Sequence, residues 1–365
     1  MKVPYINLGL QYQKDKSEIL KKVESVIDSG MFILGDEVSQ FEQTFAKICD
    51  AKYAVGVANG TDALVLALKS VGVGAGDEVI TAANSYLASA SSIALAGAKI
   101  VFADVRDDFN LDPESIKAKI TDKTKAIIAV HLTGRPAEMD TINEIACQHG
   151  IYVIEDSAQA VGAKYKGKGT GSWGMLGCFS LHPLKNLAAA GDAGMVTTND
   201  EKTYQWLLKA RTHGHKNRDE CEFWSMNSRL DALHAAILNI KVKRLAEQTE
   251  RRRSIAAKYH EAFKDFVTVP EDGENEYSVF HTYIIQTDCR DELQAFLKEK
   301  GIDSKIHYPI AIHQQEAFTS KNQPVTDLKK TDEQVKRILT LPVYPELTDE
   351  QVDYVIQQVK AFFAA

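Results

Sequence analysis

Lys185 lies in LGCFSLHPLKNLAAAGDAGMV, where an apolar run ends at Leu181, a His-Pro pair follows, and small residues and Gly-Asp-Ala-Gly come after. That texture predicts a strand ending in a tight loop that carries the amine. A lysine so placed is partly desolvated, which favours its neutral, nucleophilic form. Asp156 comes directly after the apolar run Ile151–Ile154, beside Glu155. A carboxylate at the end of a buried strand is costly unless a cation or donor meets it. A magnesium ion, an ion pair and a ring nitrogen would each serve. Gln159, three residues on, can reach the same space with a neutral hydrogen bond. Asn59-Gly60-Thr61 follows the run AKYAVGV and opens a helical segment. The unpaired N–H groups of a helix start favour an anion, and glycine lets its backbone come close. Taken singly, the lysine reads as surface charge and Thr61 as a plain N-cap. Taken together, an amine, a strand-end carboxylate and a phosphate cradle are what pyridoxal phosphate requires. The amine binds its aldehyde, the carboxylate keeps its ring nitrogen protonated, and the helix start neutralises its phosphate.

The elements that must position these residues form an alternating series. Tyr53–Val57 reads as a strand, Thr61–Val71 as a helix, Glu78–Thr81 as a strand and Ser85–Ala96 as a helix. Strands follow at Lys99–Phe102, Ala126–Val130 and Ile151–Ile154, with a helix at Glu138–Gln148 before the last. Alternation with continuous apolar strands predicts an α/β fold with a parallel sheet covered on both faces. Ligands of such sheets bind at the carboxyl ends of the strands, where Gly60 and Asp156 fall. The glycines of VGVGAGDEVI follow a helix and precede a strand, the reverse of a dinucleotide fingerprint, so they read as a helix C-cap and turn. From Leu230 a long helical stretch runs to Phe263, then a strand-like HTYIIQT at His281–Thr287. Helical segments near Asp291–Lys300, Thr331–Leu339 and Asp349–Phe363 complete a smaller α+β unit. The expected division is a large domain over 1–240 and a small C-terminal domain over 241–365.

Composition removes other classes. The chain has 365 residues, 44% hydrophobic and 25% charged, with 43 basic against 50 acidic side chains and a net charge of −7. That is ordinary for a globular protein and wrong for one that coats nucleic acid. Cys49, Cys147, Cys178, Cys221 and Cys289 are scattered and odd in number, which fits reduced thiols. No apolar run approaches the ~18 residues of a membrane span, and the opening MKVPYINLGLQYQKDK has no signal-peptide character. A cytoplasmic location is expected. A nicotinamide-dependent dehydrogenase lacks its glycine motif, and a metalloenzyme lacks a His-Glu-x-x-His or Cys/His cluster. Arg251–Arg253 sits in a mixed-charge helix and reads as a solvated or interface face.

The segments ANGTDAL, EDSAQAVGAKYKGKGTGSWG, CFSLHPLKNLAAAGDAGMVTT and NSRLDALHAAIL, in this order, resemble the DegT/DnrJ/EryC1/StrS sugar aminotransferases. The likeness extends from VPYINL through IHYPIAIHQQEAF to the final helix. It implies a pyridoxal-phosphate-dependent transferase of fold type I, aspartate-aminotransferase-like, with a large α/β and a small C-terminal domain. A homodimer would share its active sites. Lys185 then matches the residue that links the cofactor and shuttles the proton, Asp156 the partner of the ring nitrogen, and Gln159 the neighbour of the ring hydroxyl. Gly60, Thr61 and Ser180 match the phosphate cradle, Tyr86 an aromatic against the ring, and Asn227 a residue reaching the neighbouring subunit's phosphate. Arg229 would assist with anionic substrate groups, and His307, Tyr308 and His313 would line the sugar pocket, each equally compatible with ordinary packing.

The chain departs from the family where Ala82-Ala83 replaces a usual proline, Thr133 a usual tyrosine, and His182 a usual aromatic. Lysine at 185 rather than histidine places it on the transaminase branch. The reaction implied moves an amino group, usually from glutamate, to a nucleotide-linked keto-deoxysugar in amino-sugar and surface-polysaccharide synthesis. GDAG and HYPIAIHQQEA lean toward amination at C-3. An unlinked keto sugar or keto-inositol, or a non-catalytic cofactor-binding regulator, are the alternatives.

Overall fold

A computed structural model describes residues 1–320 and 327–364. Its strands in chain order are β1 (Tyr53–Val57), β2 (Glu78–Ala82), β3 (Lys99–Ala103), β4 (Thr124–Val130), β5 (Tyr152–Asp156), β6 (Lys164–Tyr165), β7 (Lys168–Gly169), β8 (Leu176–Ser180), β9 (Gly194–Thr198), β10 (Glu276–Tyr277), β11 (Tyr283–Gln286) and β12 (Ile338–Leu341). Seven of them form the main sheet in the order β1-β9-β8-β5-β4-β2-β3. The pairs from β8 to β3 are parallel, but β9 runs antiparallel to both β8 and β1. The expected parallel sheet is thus present, with β9 its one antiparallel strand among the described residues. Leu176 faces Thr198 and Ser180 faces Gly194, so residues 181–193, with Lys185, form the connection of an antiparallel pair.

The sheet is apolar because both faces are covered. Every residue of β2 and β9 is buried. The helix Gly60–Ser70 buries Ala63 through Leu68 without a polar stripe, since it lies between β8, β9 and the helix Leu87–Ala96. It ends as its glycines require. Gly72 takes φ +74° and donates to the Lys69 carbonyl, while Val73 donates back to Leu68.

A second core gathers Tyr259, Phe263, Tyr283, Leu297, Leu341 and Val355. It is built on the antiparallel pair β11–β12 and the helices Arg290–Glu299 and Asp349–Ala364. Val3, near the other end of the chain, belongs to it as well. The long helical stretch is broken. Ala232–Lys241 and Leu245–Phe263 are separated by a 3-10 turn, Val242–Arg244. The break lets the first part pack on the helices Lys16–Ser29 and Asp36–Ile48 and the second on Asp349–Ala364. The expected helix over Thr331–Leu339 ends at Arg337 instead. Ile338–Leu341 precedes a proline and is buried throughout, which favours the extended strand that pairs with β11. Among the described residues, no helix is long and apolar enough to cross a membrane.

Candidate active site

The carboxyl ends of β1, β2, β4, β5 and β8 open on one cleft of about 630 Å³, within the usual range for a small-molecule site. Gly60, Thr61, Tyr86, Asp156, Gln159, Ser180 and Lys185 all line it. His307 and Tyr308 close it from the side of the second core.

At one end lies the start of the helix Gly60–Ser70. Asn59 Oδ1 accepts from Asp62 N–H at 2.9 Å, and the Asn59 carbonyl accepts from Ala63 at 3.1 Å. The Gly60 and Thr61 N–H groups are left without a partner among the described residues. A Cβ on Gly60 would meet Ser180 Cβ at 2.8 Å, so glycine alone lets the helix start abut the end of β8. Two free N–H groups and the hydroxyls of Thr61 and Ser180 make an anion cradle.

Asp156 is the last residue of β5, not the one after it. Its buried carboxylate accepts from Ser89 Oγ at 2.7 Å and from Ala158 N–H at 3.2 Å. Gln159 Oε1 accepts from Thr133 N–H at 2.7 Å, which turns its Nε2 toward Tyr308 Oη, 3.4 Å away. Tyr86 is more than half exposed and packs its ring on Tyr308, 5.8 Å between centroids.

Lys185 is partly buried, and its amine has no hydrogen bond or ion pair among the described residues. Burial outweighs the attraction of Asp156 and lowers its pKa to about 8. The same burial, helped by the Lys185 and Lys305 charges, pushes His307 down to about 4. Tyr308 is raised above an ordinary phenol by burial and then by Asp156.

Three of the residues singled out from the sequence lie elsewhere. Asn227 is exposed and Arg229 half-buried in the segment before the helix Ala232–Lys241, outside this chain's cleft. His313 is packed against Phe102, with Nε2 3.1 Å from Asp332, so it does not line the pocket. His281 and Asp192 do line it and were missed. His281 begins an apolar, strand-like segment and carried no motif signal; Asp192 read only as part of a turn.

The model of the DegT/DnrJ/EryC1/StrS aminotransferase family matches residues 13–360. The chain belongs to that family. A relative from Geobacillus stearothermophilus, named a pleiotropic regulatory protein, is 45% identical over 100% of this chain and 99% of its own. A dTDP-3-amino-3,6-dideoxy-alpha-D-galactopyranose transaminase from Aneurinibacillus thermoaerophilus is 41% identical over 99% of each chain. The solved structure of S. venezuelae DesV superposes with a TM-score of 0.96 at 36% identity, over 99% of this chain and 98% of that one. The fold is the one its family implies, and the chain is a pyridoxal-phosphate-dependent aminotransferase. The cleft suits the cofactor. Its unpartnered N–H groups sit where a phosphate needs donors, and a lone amine and a buried carboxylate share the same cavity.

Proposed function

We propose that the aminotransferase moves an amino group from an amino acid, L-glutamate in the simplest case, to a nucleotide-linked keto-deoxysugar, with a lean to C-3. The observation that carries the reading is the cleft in which Lys185, Asp156 and the Gly60–Thr61 cradle converge. The amination at C-3 is supported by the name of the Aneurinibacillus relative, which puts the amine at that carbon of its sugar.

When bound, pyridoxal phosphate supplies an electron-withdrawing ring. Gly60, Thr61 and Ser180 would hold its phosphate, Asp156 would keep the ring nitrogen protonated, and Gln159 would neighbour the ring hydroxyl. Tyr86 covers the ring face. Lys185 would bind the cofactor and, as a free amine, would hold or move the proton at the substrate carbon, a task suited to an amine with a pKa of about 8. His307 and Tyr308 face the sugar. The division into 1–240 and 241–365 is supported by the two cores, although Val3 packs in the second and Ile284 and Ile338 in the first.

We further propose a homodimer in which Asn227 and Arg229 reach the partner's cleft, with His313 left to packing. Exposed apolar side chains support it: Trp224 is 94% exposed, and Met31, Phe32 and Ile33 are exposed in succession. The regulatory reading is supported by the names of two relatives, a pleiotropic regulatory protein and a sensory transduction protein; the catalytic groups favour chemistry.

The test is direct. Purified protein incubated with cofactor should be yellow and bleach on adding glutamate, and Lys185→Ala should abolish both the colour change and turnover. A wild-type protein that binds cofactor yet never bleaches with any amino donor would favour the regulator.

A further inference from the structure

The residue after the cleft lysine fixes the protonation of a histidine. Asn186 is buried, and its Nδ2 donates to the Val279 carbonyl at 3.1 Å. That bond turns Oδ1 toward His281, whose Nδ1 lies 3.3 Å away. The reversed amide would set two carbonyl oxygens against each other. An amide oxygen only accepts, so His281 Nδ1 carries the proton and Nε2 keeps the lone pair. Burial holds the ring neutral, reinforced by the charges of Lys185 and Arg252. His281 shares the cleft with Lys185, and the Lys185 amine has no partner among the described residues.

We propose that His281 is a positioning residue for Lys185, its Nε2 accepting a hydrogen bond from the amine, unpaired among the described residues, when the lysine side chain turns toward it in the shared cleft. The chain of donors then runs from Lys185 Nζ to His281 Nε2, from His281 Nδ1 to Asn186 Oδ1, and from Asn186 Nδ2 to the Val279 carbonyl. Its last two links are present in the structure. The first holds a mobile four-carbon side chain beside the reacting carbon between proton transfers. This role rests on the transamination proposed above.

The test compares His281→Phe, which keeps a ring but no acceptor, with His281→Gln, which keeps an acceptor. In apoprotein labelled with ¹⁵N-histidine, the signal absent from His281→Gln should show the tautomer protonated at Nδ1. The pH dependence of cofactor uptake by apoprotein reads the Lys185 pKa. It should fall by about one unit in His281→Phe, the worth of one hydrogen bond, and stay near wild type in His281→Gln. In holoenzyme, kcat should fall about tenfold in His281→Phe with the KM for the amino donor unchanged. An Nε2-protonated tautomer, equal impairment of the two variants, or a change confined to the sugar KM would each overturn the proposal. Failure of the transaminase reading looks different: wild type would not bleach with a donor, while the tautomer and the apoprotein titration would stand.

Discussion

Replacing Gly60 by alanine tests the anion cradle with a single methyl group. The added Cβ would sit 2.8 Å from Ser180 Cβ and 3.2 Å from Ser180 Cα. Carbon atoms in contact settle at about 3.5–4.0 Å, so the overlap is roughly 0.5 Å or more. Ser180 ends β8, which is paired along both edges by β5 and β9, so neither neighbour yields easily. Gly60 has no positive φ, so alanine fits its backbone and would favour the helix by up to ~1 kcal/mol. Overpacking costs about 1–3 kcal/mol, so Gly60→Ala apoprotein should be unchanged or up to about 3 kcal/mol less stable. The larger effect falls on the cofactor. Pushing the helix start away from β8 moves the Gly60 and Thr61 N–H groups off a bound phosphate. A hydrogen bond to a charged group contributes about 1.5–3 kcal/mol. Losing one weakens binding by roughly 10- to 150-fold at 1.4 kcal/mol per decade. Fluorescence titration of apoprotein with pyridoxal phosphate gives the Kd, and thermal unfolding of the same sample gives the stability. A Gly60→Ala protein that melts higher and binds the cofactor with wild-type Kd would show that the phosphate is not seated against this helix.

The pKa of Lys185, lowered to about 8 by burial against the pull of Asp156, sets the pH response of cofactor uptake. Only the neutral amine attacks an aldehyde, so the rate of covalent uptake by apoprotein should rise through about pH 8 and level off above it. A rate still climbing beyond about pH 9.5 would mean an ordinary lysine. Glu155→Gln should cost about 2–5 kcal/mol of stability, because its amide would face N–H donors where the carboxylate accepts from Gly171, Trp173, Gly174 and His131. An unchanged urea midpoint would contradict that. Lys241 is buried with its Nζ unpartnered among the described residues except for the Tyr12 ring, 3.9 Å from the centroid, and burial lowers its pKa from 10.5 to about 8. Between those values the unfolded chain binds more protons, so this group makes stability rise with pH. Lys241→Met should therefore stabilise by about 1–3 kcal/mol at pH 7 and flatten that rise, as read by Tm at pH 7 and 9.5. A lower Tm at both would show the ammonium to be needed where it is.

The parts of the fold legible in the sequence were those where period and punctuation agree. The run AKYAVGV, the cap Asn59 and the helix after it are continuous apolar, polar cap and apolar again, and each lies where expected. Strand direction was not legible in the same way. Gly194–Thr198 is as apolar as its neighbours, and nothing in a fully buried strand distinguishes an antiparallel member from a parallel one. The break at Val242–Arg244 was hidden because its residues are ordinary helix formers, and only packing on two different partners interrupts them. At the site, Lys185, Asp156 and Gly60 were visible because each sits at a strand end or helix start. His281 was not, since a histidine opening an apolar strand reads as part of that strand. Its contact with Asn186 spans 95 positions, which local spacing does not encode.

Glu155 and Asp156 are chemically near-equivalent neighbours, and the pleat of β5 decides which of them faces the cofactor cleft. Successive side chains of a strand point to opposite faces. Glu155 is fully buried on one face, where Oε1 accepts from Trp173 and Gly174 at 2.8 Å and Oε2 from Gly171 at 2.7 Å and His131 at 2.9 Å. His131 Nδ1 accepts from Ala137 N–H, so its proton is on Nε2 and the ring meets the carboxylate as a neutral donor. These donors occupy both oxygens of Glu155 and leave it nothing to offer a ligand. Asp156, on the other face, takes one donor on each oxygen and retains lone pairs toward the cleft. The register holding this arrangement is set from both sides, with Asp156 opposite Val130 on β4 and Cys178 on β8. A slip of one residue would send Glu155 into the cleft and bury Asp156 among donors placed for a longer side chain. The paired neighbours of β5 thus do as much to put a carboxylate in the cleft as the aspartate itself.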